Sequence, residues 1–235
     1  MKLKEFILMR HSYDDHSYID GENNTSLTSD GIKIAKTAAK QILMHFDDRK
    51  IIVRTSTKKR ALETAEIVCS EMLKNNMCAE LIEDKCLNEL YQGKFNFNSL
   101  SHEDRVNFLQ SCWDDFEWNR ENDNLFHRFG EYKSKDIVLM PGENHSQWSK
   151  RIGNGVLNIL NDMAQNNQVL GVTHRGATFE IQNIIKMANG EIKSDAVEHY
   201  KTVYMKYCQE TMIDVCDIND AQKRITEFIN ERGTE

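Results

Sequence analysis

No stretch of this chain approaches the roughly 20 consecutive apolar residues that cross a bilayer. The early apolar run, residues 6–9, is too brief for the core of a signal peptide. The sequence therefore reads as that of a cytoplasmic protein with no membrane partner. It has no C-x-x-C pair either. The six cysteines, Cys69, Cys78, Cys86, Cys112, Cys208 and Cys216, stand apart, which argues against a zinc site and against a disulfide framework. A concentrated basic face is also missing. The net charge is -7, and a nucleic-acid partner would require clustered cations to neutralise its phosphates. There is no internal repeat and no low-complexity tract.

With 235 residues, 40% of them hydrophobic, the chain can bury one good core, so a single domain carrying an insertion is expected rather than two domains. Residues 4–9, 50–54, 79–83 and 168–173 read as short strands. The first, second and fourth are apolar enough to be covered on both faces. Helical patterns lie between them. Leu27-Thr28-Ser29-Asp30-Gly31 offers capping chemistry before a helix over residues 32–46, and Thr55-Ser56-Thr57 offers it before a helix running to about Leu73. Asn144, after Pro141-Gly142-Glu143, can cap a third helix through Ile159. Strands alternating with helices of this length predict an α/β fold: a three-layer α/β/α sandwich with a mainly parallel central sheet.

A polar, aromatic-rich segment at about residues 95–140 breaks that rhythm and reads as an inserted cap. The helical spacing of Phe108, Cys112 and Phe116, with Trp113, predicts a small satellite core. A lid over a site is the alternative. The charged tail from residue 220 onward reads as a surface helix frayed at its end.

Two segments far apart in sequence carry the chemistry. Leu8-Met9-Arg10-His11-Ser12 and Val172-Thr173-His174-Arg175-Gly176 each follow an apolar run and put a histidine at the C-terminal edge of a predicted strand. Ligands of open α/β sheets bind at that edge. Between them, the segment from Ser56 places Arg60 in the first turns of a helix. An arginine is disfavoured by the macrodipole there unless an anion is bound. A globally acidic protein with cations gathered at strand ends has a local use for an anion.

These residues form part of a larger ordered set. Arg10-His11, the Leu27-Thr28-x-x-Gly31 helix start, the Ser56 segment, Leu87-Asn88-Glu89 with Gly93, Gly142-Glu143 with Arg151, and His174-x-Gly176 occur in the order found in the histidine phosphatase superfamily, branch 1. The chain resembles that phosphoglycerate mutase-like superfamily over about residues 4–94 and 140–190. The resemblance implies a metal-independent phosphomonoester hydrolase, with no cofactor, acting on a small phosphorylated substrate through a phosphohistidine. His11 would be the nucleophile. Arg10, Arg60 and His174 would be donors to the transferring phosphoryl group, and Glu89 the proton donor.

Arg175, Ser12 and Gly176 are placed at the substrate. Ser12 replaces the usual glycine after the histidine, Thr57 stands where many members have proline, and Arg175 replaces a common glycine. Arg175 could recognise a second anionic group or lie on the surface. Glu143 reads as structural or as hydrogen-bonding to a site residue. Asp14-Asp15-His16 has no metal-ligand spacing, so no metal is expected. Two other functions compete: a phosphoglycerate mutase-type phosphotransferase, and a non-catalytic phosphate-binding or scaffold protein. The aromatic insertion also admits a phosphoprotein substrate. Oligomeric state is not legible from the sequence.

Overall fold

Alternating apolar strands with short connections dictate most of what is seen. The computed structural model describes residues 4–15, 24–122, 124, 126–131, 133–193 and 205–232. In chain order the elements are β1 (Lys4–Arg10), α1 (Ser29–Ile42), β2 (Ile51–Thr55), α2 (Lys59–Lys74), β3 (Ala79–Glu83), β4 (Gly93–Phe95), α3 (His102–Glu121), β5 (Val138–Pro141), α4 (His145–Ala164), β6 (Gln168–Thr173), α5 (Arg175–Ala188), β7 (Glu210–Val215) and α6 (Ile218–Glu231). Two further 3-10 turns occupy Leu43–His45 and Lys85–Leu87.

The chain forms two compact units. Among the described residues, the first comprises those within 4–15, 25–89 and 150–232, the second residue 24 and those within 90–149. The first holds a five-stranded sheet in the order β3-β2-β6-β1-β7. Its strands are parallel apart from β7, which pairs antiparallel with β1. This is the α/β fold expected, with helices on both sides of a mostly parallel sheet. Ile7, Met9, Ile51, Val53, Leu170 and Val172 point to one face and pack with Ala35, Ala39, Ile42, Ala61, Ala65 and Val68 of α1 and α2. On the other face Gly171 lies against Leu8 and Ile159 of α4, and Gly153 of α4 against Ile225 and Ile229 of α6. Period-two alternation thus sends each strand's side chains to two separate helix layers.

The four expected strands are present within a residue of their predicted ends. The antiparallel β7 was not foreseen. The tail also differs from expectation, because α6 buries Ile218, Ala221, Ile225, Phe228 and Ile229. That apolar stripe at helical spacing holds it to the body of the fold. Thr28 caps α1 by accepting a hydrogen bond from Gly31 N at 3.0 Å. For α2 the N-cap is Lys58, with no side-chain cap hydrogen bond, so the Thr55-Ser56-Thr57 cap is corrected. Ser56 is engaged at the site instead.

In the second unit β4 and β5 pair antiparallel. Gly93 takes φ +95°, and a Cβ there would stand 2.2 Å from Met140 O, so no other residue fits without displacing the partner strand. The α3 residues Phe108, Cys112, Trp113 and Phe116 gather with Phe95, Phe97 and Phe129 in edge-on and stacked pairs, with Cys112, Phe116 and Phe129 fully buried. This is the satellite core that the spacing predicts. Asn144 caps α4, accepting from Gln147 N at 2.7 Å, while its own N–H donates to Gln147 Oε1 at 3.1 Å, a reciprocal capping box. Glu143 serves the fold: its Oε2 accepts from Tyr91 N at 2.9 Å and its N–H donates to Tyr91 O at 2.8 Å.

Candidate active site

Strand order decides which residues meet. β1, β6 and β2 are adjacent and parallel, so the residues that follow each of them emerge side by side at one sheet edge. His11 N donates to Thr173 O at 2.8 Å, and Ser56 N donates to Val172 O at 3.0 Å. These two bonds lock the chain beyond each strand into register. Residues 11, 56 and 174, distant in sequence, therefore line up along the C-terminal edge, where α2 and α5 begin.

At that edge Arg60, in the first turn of α2, bridges the two histidines. Its Nε donates to His11 Nε2 at 3.1 Å and its Nη2 lies 3.2 Å from His174 Nδ1. The imidazole rings are 5.0 Å apart. His11, Arg60 and His174 are 4%, 5% and 1% exposed, so the cation and both rings are withdrawn from water.

The partners assign the tautomers. His11 Nδ1 lies 2.7 Å from Ser12 O, a group that only accepts, so Nδ1 carries the hydrogen. Arginine only donates, so His11 Nε2 carries a lone pair. For His174 the same reasoning makes Nδ1 the acceptor from Arg60. Its Nε2–H then donates to Ser56 Oγ at 2.8 Å, and Ser56 Oγ–H donates to Asn88 Oδ1 at 2.7 Å. Burial, and then the charge of Arg60 and the proximity of His11, hold the His174 pKa well below its ordinary value. Asp14 supplies a buried counter-charge, with a carboxylate oxygen 3.8 Å from Arg60 Nε and a hydrogen bond from Thr25.

Arg10 closes the other side. Its Nη1 donates to Met205 O, and its guanidinium lies over the Tyr207 ring, 4.0 Å from the centroid. The Tyr207 ring is also 5.9 Å from that of His11. Burial pushes the Tyr207 phenol upward in pKa. Arg10 Nε is buried with no hydrogen-bond acceptor among the described residues. A buried N–H without a partner is costly, and an anion beside His11 would satisfy it.

Glu89 is held by Gly176. Its Oε2 accepts from Gly176 N at 3.0 Å, in the first turn of α5, where the helix dipole also favours negative charge. A Cβ on residue 176 would stand 2.5 Å from Glu89 Oε1. Glycine at 176 thus makes room for the carboxylate. Thr57 shows what the missing proline would have cost: its N–H donates to Asn88 Oδ1 at 2.9 Å, which a proline nitrogen cannot do.

The site therefore brings together His11, Arg10, Arg60, His174 and Glu89. Ser12 is fully buried, and its hydroxyl donates to Gly31 O at 2.7 Å, so the side chain is committed to the fold beside the site. Arg175 is exposed on the first turn of α5. Of the remaining histidines, His127 and His145 are buried in the second unit, His45 and His102 are exposed, and His16 and His199 lie outside the described residues. Sequence reasoning missed the roles of Ser56, Asn88 and Asp14, and missed Tyr207 entirely. Ser56 and Asn88 lay inside the recognised motifs, but nothing near Tyr207 marked it. Among the described residues no group of three or more His, Cys, Asp or Glu side chains converges as a metal site. No described helix is long and apolar enough to cross a membrane.

A lone pair on a buried imidazole facing a buried guanidinium, at the C-terminal edge of a parallel sheet, is an arrangement suited to attack on an anionic electrophile such as a phosphoryl group. The family signature of the histidine phosphatase superfamily (branch 1) matches residues 6–192. The chain belongs to the histidine phosphatase superfamily, branch 1.

No curated protein sequence matches significantly. Among solved structures, a mycobacterial glucosyl-3-phosphoglycerate phosphatase is similar at TM-score 0.58 and 15% identity, over 90% of each chain. A putative alpha-ribazole-5'-P phosphatase from Escherichia coli K-12 is similar at TM-score 0.57 and 19% identity, over 92% of this chain and 93% of that one. A phosphoserine phosphatase from Entamoeba histolytica, solved as a mutant with phosphoserine, is similar at TM-score 0.52 and 18% identity, over 88% and 89%. At these identities the likeness is one of fold.

Proposed function

We propose that this protein is a metal-independent phosphomonoester hydrolase that works through a phosphohistidine on His11. The observation that carries the proposal is the pairing of His11, Nδ1 at 2.7 Å from Ser12 O and Nε2 at 3.1 Å from Arg60 Nε, which assigns the lone pair to Nε2. In the first step Nε2 forms a bond to phosphorus as the ester P–O bond breaks in line, and the leaving oxygen takes a proton from Glu89. In the second step water attacks phosphorus and gives its proton to Glu89, and the N–P bond breaks, returning the lone pair to Nε2.

Arg60, hydrogen-bonded to His11 Nε2 at 3.1 Å, would be within reach of the equatorial oxygens of a phosphoryl group on that nitrogen. On substrate binding it would exchange its bonds to the imidazoles for bonds to oxygen, and its planar fork suits two oxygens at once. The buried N–H of Arg10 supplies another donor. Preorganised donors of this kind are worth about 3 to 4 kcal/mol each. His174, kept neutral by burial, leaves the net positive charge on the arginines. The substrate classes printed for the structural relatives, a phosphorylated glycoside acid, phosphoserine and a ribazole phosphate, support a small phosphorylated metabolite as the substrate here.

The test is phosphate release from p-nitrophenyl phosphate and from a panel of phosphorylated metabolites, with chelator present throughout. Wild-type turnover that is lost in His11→Ala, together with an acid-labile phosphoenzyme in the wild type alone, is the expected result. Full activity in folded His11→Ala, or activity abolished by chelator, would overturn the mechanism.

A further inference from the structure

Glu89 lies on an irregular connection between the Lys85–Leu87 turn and β4, and such a loop does not by itself hold a carboxylate to the tolerance that proton transfer needs. What holds it from beneath is Arg151, on α4. Arg151 Nη1 donates to Cys86 O at 3.1 Å and to Asn88 O at 2.9 Å, with Lys85 O further off at 3.4 Å. Its Nη2 donates to Glu89 O at 3.1 Å. Lys85 O also accepts from Asn88 N at 3.2 Å, the bond that closes the turn. The carbonyls of residues 86, 88 and 89 lie at and beyond its end, and a guanidinium is the side chain best shaped to take several of them at once.

The supporting helix is itself pinned. Ile152 and Val156 are fully buried. Arg54 of β2 binds Asp162 of α4 and also Asp84, which caps the same turn by accepting from Cys86 N at 2.9 Å. The carboxylate end of Glu89 is fixed by Gly176 N and its backbone end by Arg151. The two anchors belong to different helices, α5 and α4.

We propose that Arg151 is the positioning residue of the proton donor: it sets the backbone of residues 86–89 so that Glu89 meets the leaving oxygen, without touching substrate. This rests on Glu89 being that donor. Loss of Arg151 should therefore act selectively. Substrates whose leaving oxygen must be protonated will suffer, and substrates with a stable leaving anion will be spared.

The experiment compares kcat/KM, which reports the first chemical step, for benzyl phosphate, whose alkoxide needs a proton, and p-nitrophenyl phosphate, whose phenolate does not. The proteins are wild type, Glu89→Gln, Arg151→Gln and Arg151→Lys, each checked for folding by circular dichroism. In Glu89→Gln the benzyl to nitrophenyl ratio should fall about 100-fold or more, the usual worth of a general acid. In Arg151→Gln it should fall about 10-fold to 100-fold, as displacement of a catalytic group by about 1 Å does. Arg151→Lys should fall between, because an ammonium cannot span the same carbonyls.

If Arg151→Gln does not fold, Arg151→Lys carries the comparison. A ratio that falls in Glu89→Gln but stays at the wild-type value in the Arg151 variants overturns the positioning role alone. Equal losses on both substrates in the Arg151 variants assign Arg151 to general stability and overturn it too. A wild-type ratio in Glu89→Gln overturns the acid role and this inference with it.

Discussion

Replacing Gly176 by alanine separates activity from stability in a way the geometry makes specific. The new Cβ would sit 2.5 Å from Glu89 Oε1 and 3.2 Å from both Cδ and Oε2. Carbon and oxygen reach ordinary contact near 3.4 Å, so the carboxylate must retreat by about 0.9 Å. The atoms in the way are the far end of a flexible side chain, so the backbone need not move and Glu89 simply turns aside. Its 3.0 Å bond from Gly176 N is lost in the process. That hydrogen bond to a charged group is worth about 1.5 to 3 kcal/mol in a buried setting. At a half-exposed carboxylate the loss will be smaller.

Against that loss stands the helical gain from glycine to alanine in α5, about 0.5 to 1 kcal/mol. The two offset, so the melting temperature should stay within a few degrees of wild type. Activity should not. Displacing the proposed proton donor by about 1 Å should cost about 100-fold in kcat/KM for an alkyl phosphate and much less for p-nitrophenyl phosphate. Thermal melts together with the two substrates make the assay. A large fall in melting temperature, or equal activity losses on both substrates, would refute the reasoning that glycine is present to seat Glu89.

Three further outcomes follow from the same structure. The pKa of His174 is held far below its ordinary 6.5 in the folded state, so below pH 6.5 the unfolded chain takes up a proton that the folded chain refuses. Stability therefore falls as pH drops, by up to about 1.4 kcal/mol per pH unit from this residue alone. His127, also lowered by burial, acts in the same direction, and denaturant titrations from pH 7.5 to 5 should show a shallower slope in His174→Gln than in wild type. Arg54→Met leaves Asp84 and Asp162 as buried carboxylates without their cation and should cost about 3 to 5 kcal/mol by urea unfolding; a loss under 1 kcal/mol would show the pair is hydrated instead. Arg175, exposed beside His174 on the first turn of α5, should affect substrates with a second anionic group, so Arg175→Ala should raise KM for a phosphorylated acid more than for p-nitrophenyl phosphate, and equal changes would remove it from recognition.

Much of this molecule was written locally. The strands that deliver His11 and His174 are short apolar runs ended by polar residues, a pattern set by period-two burial and readable without a partner. Thr28 and Asn144 cap their helices because the groups they bind lie three residues away. The α3 aromatics gather because helical periodicity puts them on one face. The resemblance to a superfamily then assigned roles to His11, Arg60, Glu89 and His174. By contrast β7 alternates regularly in the fold, Glu210, Met212 and Asp214 outward and Thr211, Ile213 and Val215 inward. The apolar Met212 on the outer face and the polar Thr211 on the inner one blur that period in the sequence, and its antiparallel pairing depends on the edge β1 offers.

What only the tertiary structure decided are the pairings made across the sheet edge. Ser56 looked like a helix cap from its neighbours, and became the partner of His174 because β2 and β6 lie side by side. Arg151 and Glu89 are 62 residues apart, and Arg10 and Met205 are 195 apart. No local propensity encodes such contacts. They exist because strand order brings four chain segments to one edge, where buried donors and acceptors must find each other or remain unsatisfied.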